Sequence, residues 1–132
     1  MDELFIIQDD YFISDSGETI CKIPFSLVFH YVTDGEFTIF FDEKKTERRI
    51  KLRLCKLIKQ VKMPSIVRYS LFGAVNLDYY VDVLPLQAGR NKHDILLSNN
   101  VKLEIPVERL TPFRKAVNKY KLENYMRLMF RR

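Results

Sequence analysis

Met63 to Pro85 reads MPSIVRYSLFGAVNLDYYVDVLP, and this stretch decides the fold. Two runs of strand-forming composition, Ser65–Tyr69 and Tyr79–Leu84, flank a central Phe72-Gly73-Ala74-Val75-Asn76-Leu77. Tyr79, Val81 and Val83 alternate with Tyr80, Asp82 and Leu84, the period of a half-buried strand. Asn76 is the pivot. Its short amide side chain can hydrogen-bond nearby backbone where one strand stops and the next begins.

Working outward, the pattern before this stretch is helical. Ile50, Leu54, Leu57, Ile58 and Val61 recur at helical spacing, with Lys51, Lys56, Lys59 and Lys62 largely on other faces. Pro64 stops that helix, because a residue preceding proline is pushed out of the α region. Earlier still, Leu4–Gln8 and Tyr11–Ser14 form short strands around Asp9-Asp10. Asp15-Ser16-Gly17-Glu18 is a turn, and Thr19–Ile23 extends to Pro24. Leu27–Thr33 and Glu36–Phe41 are joined at Asp34-Gly35, a strong hairpin signal. Lys44-Lys45 turns the chain into a strand beginning at Thr46–Arg49.

On the far side, Gln87–Lys92 is a polar loop containing Gly89. His93–Ser98 and Val101–Ile105 pair about Asn99-Asn100. Leu110, Phe113, Val117, Tyr120 and Lys121 mark a C-terminal helix, with Thr111-Pro112 as an alternative start. The expected fold class is α+β and β-dominated: consecutive antiparallel strands and hairpins, one inter-strand helix and a C-terminal helix. Ile39, Leu54, Ile58, Val81, Val83 and Leu97 lie on the apolar sides of these elements and are expected in the core.

A chain of 132 residues can bury one core. Hydrophobic residues at 47% and charged residues at 30% are ordinary for a soluble globular protein. No apolar run approaches the roughly 20 residues needed to cross a bilayer. The acidic start Met-Asp-Glu-Leu-Phe is unlike a secretory signal or transit peptide. Cys21 and Cys55 have no metal-binding spacing with His30 or His93. Their apolar neighbours predict reduced, buried thiols in a cytoplasmic protein.

The sequence contains no Gly-rich phosphate loop, nucleophile elbow, HExxH or CxxC. His30, between Phe29 and Tyr31, reads as a satisfied or exposed strand histidine rather than a base. The N-terminal carboxylates have no defined spacing. The expectation is a non-enzyme with no cofactor and no metal.

Charge is divided sharply along the chain. Residues 1–43 hold ten acids against one base, Lys22, whereas residues 44–132 hold 21 bases and seven acids. Such asymmetry points to a polyanionic partner, or to acidic and basic parts that complement each other within one fold. The bases concentrate at Lys44–Lys62 and Arg109–Arg132. At that density lysine and arginine can neutralise phosphates and release counterions, the main sequence-independent source of DNA affinity.

The order of elements resembles a family. Ile23-Pro24-Phe25, then Phe29-His30-Tyr31-Val32-Thr33-Asp34-Gly35-Glu36-Phe37-Thr38, resembles an opening strand, hairpin turn and following strand. Ile50–Val61 takes the place of a single inter-strand helix. Val67-Arg68-Tyr69-Ser70 with Val75-Asn76-Leu77-Asp78-Tyr79-Tyr80-Val81 resembles an arginine-containing strand leading into Val-Asn and an aromatic-apolar strand. Ile95–Ser98, Asn99-Asn100, Val101–Val107 and Glu108-Arg109 resemble a last hairpin ending in Ser-Arg. Together these are similar to a LytTR-type (LytR/AlgR family) DNA-binding domain of bacterial response regulators, from about Leu4 to Lys119. The resemblance implies one LytTR-like domain over 1–119, followed by a basic, apolar-striped helical tail over 120–132.

It also implies DNA contact by loops and strand ends rather than by a recognition helix. Carried over by position, the contacts are Glu36, then Arg68, Ser70 and Leu71, then Arg109. Lys102, Arg114 and Lys115 complete the expected DNA-facing set. Arg109 is expected at a strand end, with Glu108 pointing to the other face. For Arg68 a second reading is a strand-edge ion pair with an N-terminal acid. The chain departs from the family pattern at Glu36, an acid facing phosphates, at Leu71-Phe72 in place of a basic-Ser pair, and at Glu108 in place of serine.

The implied function is sequence-specific duplex DNA binding by a stand-alone bacterial transcription regulator in the cytoplasm. It would act as a homodimer on repeated half-sites, with no room for a receiver domain and a separate signalling protein as partner. The alternative is a non-catalytic protein-interaction module that keeps the scaffold without base readout. A continuous basic surface across Arg68, Lys102 and Arg109 favours the first. An exposed apolar stripe along Tyr125, Met126, Leu128, Met129 and Phe130 favours the second.

Overall fold

The computed structural model describes residues 4–15 and 17–130. Ser16 of the expected turn, and the charged Asp2, Glu3, Arg131 and Arg132, lie outside the described residues. In chain order the strands are β1 (Leu4–Gln8), β2 (Tyr11–Asp15), β3 (Ile20–Pro24), β4 (His30–Asp34), β5 (Phe37–Phe41) and β6 (Glu47–Ile50). Helix α1 (Leu54–Val61) follows, then β7 (Ile66–Ser70), β8 (Gly73–Asn76), β9 (Tyr80–Val83), β10 (Lys92–Leu97), β11 (Lys102–Pro106) and α2 (Val107–Phe130).

Eight strands form one sheet in the order β3-β2-β1-β6-β5-β4-β8-β7, and β11-β10-β9 form a second. Every pairing is antiparallel except β1 with β6. The Asp34-Gly35 signal works as expected: Asp34 pairs with Phe37 around a tight turn, and Gly35 supplies its φ of +61°. The α+β, strand-dominated architecture is the expected one. Among the described residues no helix is long and apolar enough to cross a membrane.

Two buried clusters hold these layers together. In the first, Leu54, Leu57 and Val61 of α1 pack with Phe5, Phe12 and Phe40, and the Phe12 and Phe40 rings stack 4.3 Å apart. In the second, Phe113 and Val117 of α2 pack with Val83, Ile95, Leu97 and Ile105 of the small sheet. Strand β8 lies between the clusters. Ala74 belongs to the first and Val75 to the second.

Several expectations are corrected. Residues 73–76 are themselves a strand, paired with both β7 and β4. All four are buried, so no alternation marks the strand in sequence. Helix α1 begins at Leu54 rather than Ile50, because Ile50 closes β6 opposite Thr38 and is buried as a strand residue. Lys62, left-handed at φ 55°, ends the helix ahead of Pro64. Leu54, Val83 and Leu97 are buried as expected, but Ile39 and Ile58 are only half-buried. Val81 is 52% exposed on the edge strand β9. Cys55 is exposed and Cys21 half-buried, so neither thiol is a buried core group. Helix α2 starts directly after β11 and carries Pro112 within it.

Asn76 is fully buried and bonded at both ends of its amide. Nδ2 donates to the Val28 carbonyl at 3.0 Å, and Oδ1 accepts from the Asp78 N–H at 3.0 Å. Its backbone N–H donates to the Phe29 carbonyl at 2.9 Å, and the next N–H, of Leu77, reaches the Ser65 carbonyl at 2.7 Å. The residue therefore ties the approach to β4, the end of β8 and the short 3-10 turn Leu77–Tyr79 into one joint. Asn76→Ala leaves a buried carbonyl without its donor and should cost about 1–3 kcal/mol. Urea unfolding checks this as a lower midpoint at unchanged slope; a midpoint equal to wild type would contradict the joint.

Candidate nucleic-acid interface

The β7–β8 hairpin has Leu71 and Phe72 at its tip, between Ser70 and its partner Gly73. A register shift between Arg68 and Ser70 sets one extra residue in β7 against β8, the kind of irregularity that bends a strand. Three hydrogen bonds then fix the tip backbone. Arg68 Nη2 donates to the Leu71 carbonyl at 2.8 Å, the Phe72 N–H donates to Ser70 Oγ at 3.1 Å, and the Thr33 N–H donates to the Phe72 carbonyl at 2.8 Å. Gly73 is required because any Cβ there would overlap the Tyr69 phenol lying across it.

Beside this tip, an open groove of about 490 Å³ separates the hairpin from the junction of β11 and α2. Ser70, Leu71, Phe72, Lys92, Lys102 and Arg109 line it, together with Glu104 and Glu108. The small sheet sets the opposite wall by its register, with Lys92 across from Pro106 and Lys102 across from Leu96. Glu104 is already held by Arg90, Nη2 to Oε2 at 2.9 Å, and Arg90 also grips Asp94 at 3.1 Å. Among the described residues Lys92, Lys102, Arg109 and Glu108 take part in no side-chain ion pair. Three free cations therefore face this groove against one free carboxylate.

Of the eight residues expected to face DNA, four meet here: Ser70, Leu71, Lys102 and Arg109. Arg68 sits at the adjoining tip, exposed, with a backbone carbonyl as partner rather than an N-terminal acid. Glu36 lies in the β4–β5 turn at the same end of the large sheet, since Val32 pairs with Gly73, but it does not line the groove. Arg114 and Lys115 are exposed on α2 and are also absent from the lining. Arg114 instead lies near Tyr80, where its charge opposes the rise that burial imposes on the phenol's pKa.

Arg109 requires a correction of place. Strand β11 ends at Pro106, so Arg109 occupies the first turn of α2 and is half-buried there. Neighbours on a helix are about 100° apart rather than on opposite faces, and Glu108 accordingly lines the groove too. Lys92 was not anticipated. Nothing local in the sequence marks it, because its position depends on the register of β10 with β11.

The other basic segment lies elsewhere. Lys56 and Lys59 are exposed on α1, against the first cluster, away from this groove. Arg48 pairs with Asp42 at 2.7 Å and Arg49 with Asp34 at 2.9 Å. Here the acidic and basic parts of the chain do complement each other.

No protein-family model and no curated protein matches the sequence. The structure is similar to the LytTr DNA-binding domain of a protein described as a methyl-accepting/DNA response regulator from Bacillus cereus. The TM-score is 0.67 at 14% identity, over 83% of this chain and 98% of that chain. The fold is LytTR-like. At this identity the likeness concerns the backbone, and the chemistry of the groove is this chain's own.

His30 is neither exposed nor part of the groove. Its ring is buried, stacks on Phe41 at 4.3 Å, and has no hydrogen-bond partner at Nδ1 among the described residues. Burial lowers its pKa from 6.5 to about 4, so it is neutral at pH 7. The unfolded chain binds the proton more readily, so this group removes stability as pH falls through that interval. The loss should reach about 3 kcal/mol by pH 4. Urea midpoints at pH 7 and 4.5 for wild type and His30→Phe measure it. The variant should lose less on acidification, and equal losses in both proteins would show that His30 is not desolvated.

Proposed function

We propose that this protein is a non-catalytic transcription regulator that binds duplex DNA in the cytoplasm, with the groove between the β7–β8 hairpin and the β11–α2 junction against the DNA. The main support is the grouping of Lys92, Lys102 and Arg109, all without ion-pair partners, around one groove in a LytTR-like fold. Lysines there neutralise phosphates, and the short bidentate reach of arginine suits the guanine edge.

Specificity rests on Arg109. Held half-buried in the first turn of a helix, it has a restricted aim, and its fork can donate two parallel hydrogen bonds to guanine O6 and N7. Glu108 beside it repels phosphate and confines the approach to one register of the backbone.

The second half of α2 supports association. Leu122, Tyr125, Met126 and Met129 recur at i, i+3, i+4 and i+7, and are 61%, 59%, 45% and 55% exposed. Such a stripe suits a second copy of the chain, placing two grooves on repeated half-sites. It also favours the competing reading, a protein-interaction module without DNA affinity, and duplex titration separates the two.

Arg109→Lys should lose about 1–3 kcal/mol on a duplex recovered by binding-site selection and leave random-sequence binding nearly unchanged. Lys102→Ala should weaken both duplexes alike and lower the salt slope by about 1. Competition titrations with matched and scrambled duplexes check both. Equal losses for Arg109→Lys on the two duplexes would make that arginine a backbone clamp, and no wild-type binding at low salt would leave the interaction module.

A further inference from the structure

The hairpin tip holds two large apolar side chains in solvent. Leu71 is 63% exposed and Phe72 is 65% exposed, and neither belongs to a buried cluster. A mobile loop could fold such groups back, but this tip cannot. Its backbone is fastened by Arg68, Ser70 and Thr33, and those bonds leave the Leu71 carbonyl and the Phe72 N–H and carbonyl internally satisfied. What projects is therefore rigid, apolar and free of side-chain donors or acceptors. The tip backbone is already ordered, so contact adds little backbone entropy cost.

We propose that Leu71 and Phe72 form an apolar wedge that enters the minor groove of bound duplex DNA and partly unstacks one base step. This rests on the DNA-binding proposal and adds to it a means of discrimination. Charge complementarity selects the occupant: Arg68 stands at the base of the tip, and Lys92 and Lys102 lie along the adjoining groove. Those cations can hold the phosphates on either side of a kinked step, which an apolar contact alone cannot do. A wedge without polar groups cannot read base edges. It reads deformability, so it prefers a flexible pyrimidine–purine step and disfavours a stiff A-tract.

The test uses the full chain and duplexes carrying 2-aminopurine, either in a TpA step or within an A-tract, at low salt. Binding of wild type should raise 2-aminopurine fluorescence in the TpA duplex and not in the A-tract. Leu71→Ser/Phe72→Ser changes only exposed positions, and its circular dichroism and urea midpoint verify the fold. This variant should still bind, several-fold more weakly, without the fluorescence rise and without preference between the duplexes. Wild-type binding with no rise, or an equal rise with the variant, would overturn the wedge and leave DNA binding standing. A wild-type dimer that the variant converts to monomer would make the tip a protein contact and overturn the wedge as well. Failure of wild type to bind either duplex would overturn both proposals.

Discussion

The fold depends on one buried amide. Asn76 has no access to water, so every polar atom of its side chain needs a protein partner, and both have one. This fixes where the chain leaves β8 and enters the turn toward the small sheet. It also locates the other end of the strand. Gly73 is three residues away, roughly 10 Å along an extended chain. A joint at Asn76 therefore places the Leu71-Phe72 tip relative to β4 on one side and to the β11–α2 junction on the other.

Charge follows a similar logic of what is paired and what is left free. Asp34, Asp42, Asp94 and Glu104 all meet arginines. Ion pairs near the surface add little stability. Their effect is to remove carboxylates that would repel a polyanion. Asp34 lies on the turn carrying Glu36, and Glu104 lies on the groove wall. The cations of the groove have no such partners, so their charge remains available to a ligand.

Much of the architecture was legible because local chemistry settled it. Asp34-Gly35 and Asn99-Asn100 need positive φ, and Gly35 and Asn100 adopt it. Pro64 bounds α1. What local chemistry did not settle was read less well. Strand β8 is covered on both faces and has no period to detect. Val107 continues an extended run in sequence, yet it begins α2, and Arg109 moves from a strand end to a helix. Resemblance to a family groups Ser70, Leu71 and Arg109, charge adds Lys102, and these four do share a groove. Glu36, from the same resemblance, and Arg114 and Lys115, added for their charge, do not line it. Lys92 joins because strand register, invisible to any short window, brings it there.

The central claim is that this groove is where DNA binds, and amide mapping tests it most directly. In a 1H–15N titration of the full chain with a short duplex at low salt, the largest shifts should fall on Ser70 to Gly73, on Lys102 and on the first turn of α2. Shifts concentrated on the lysine-bearing surface of α1, with the hairpin tip and Arg109 unmoved, would contradict it.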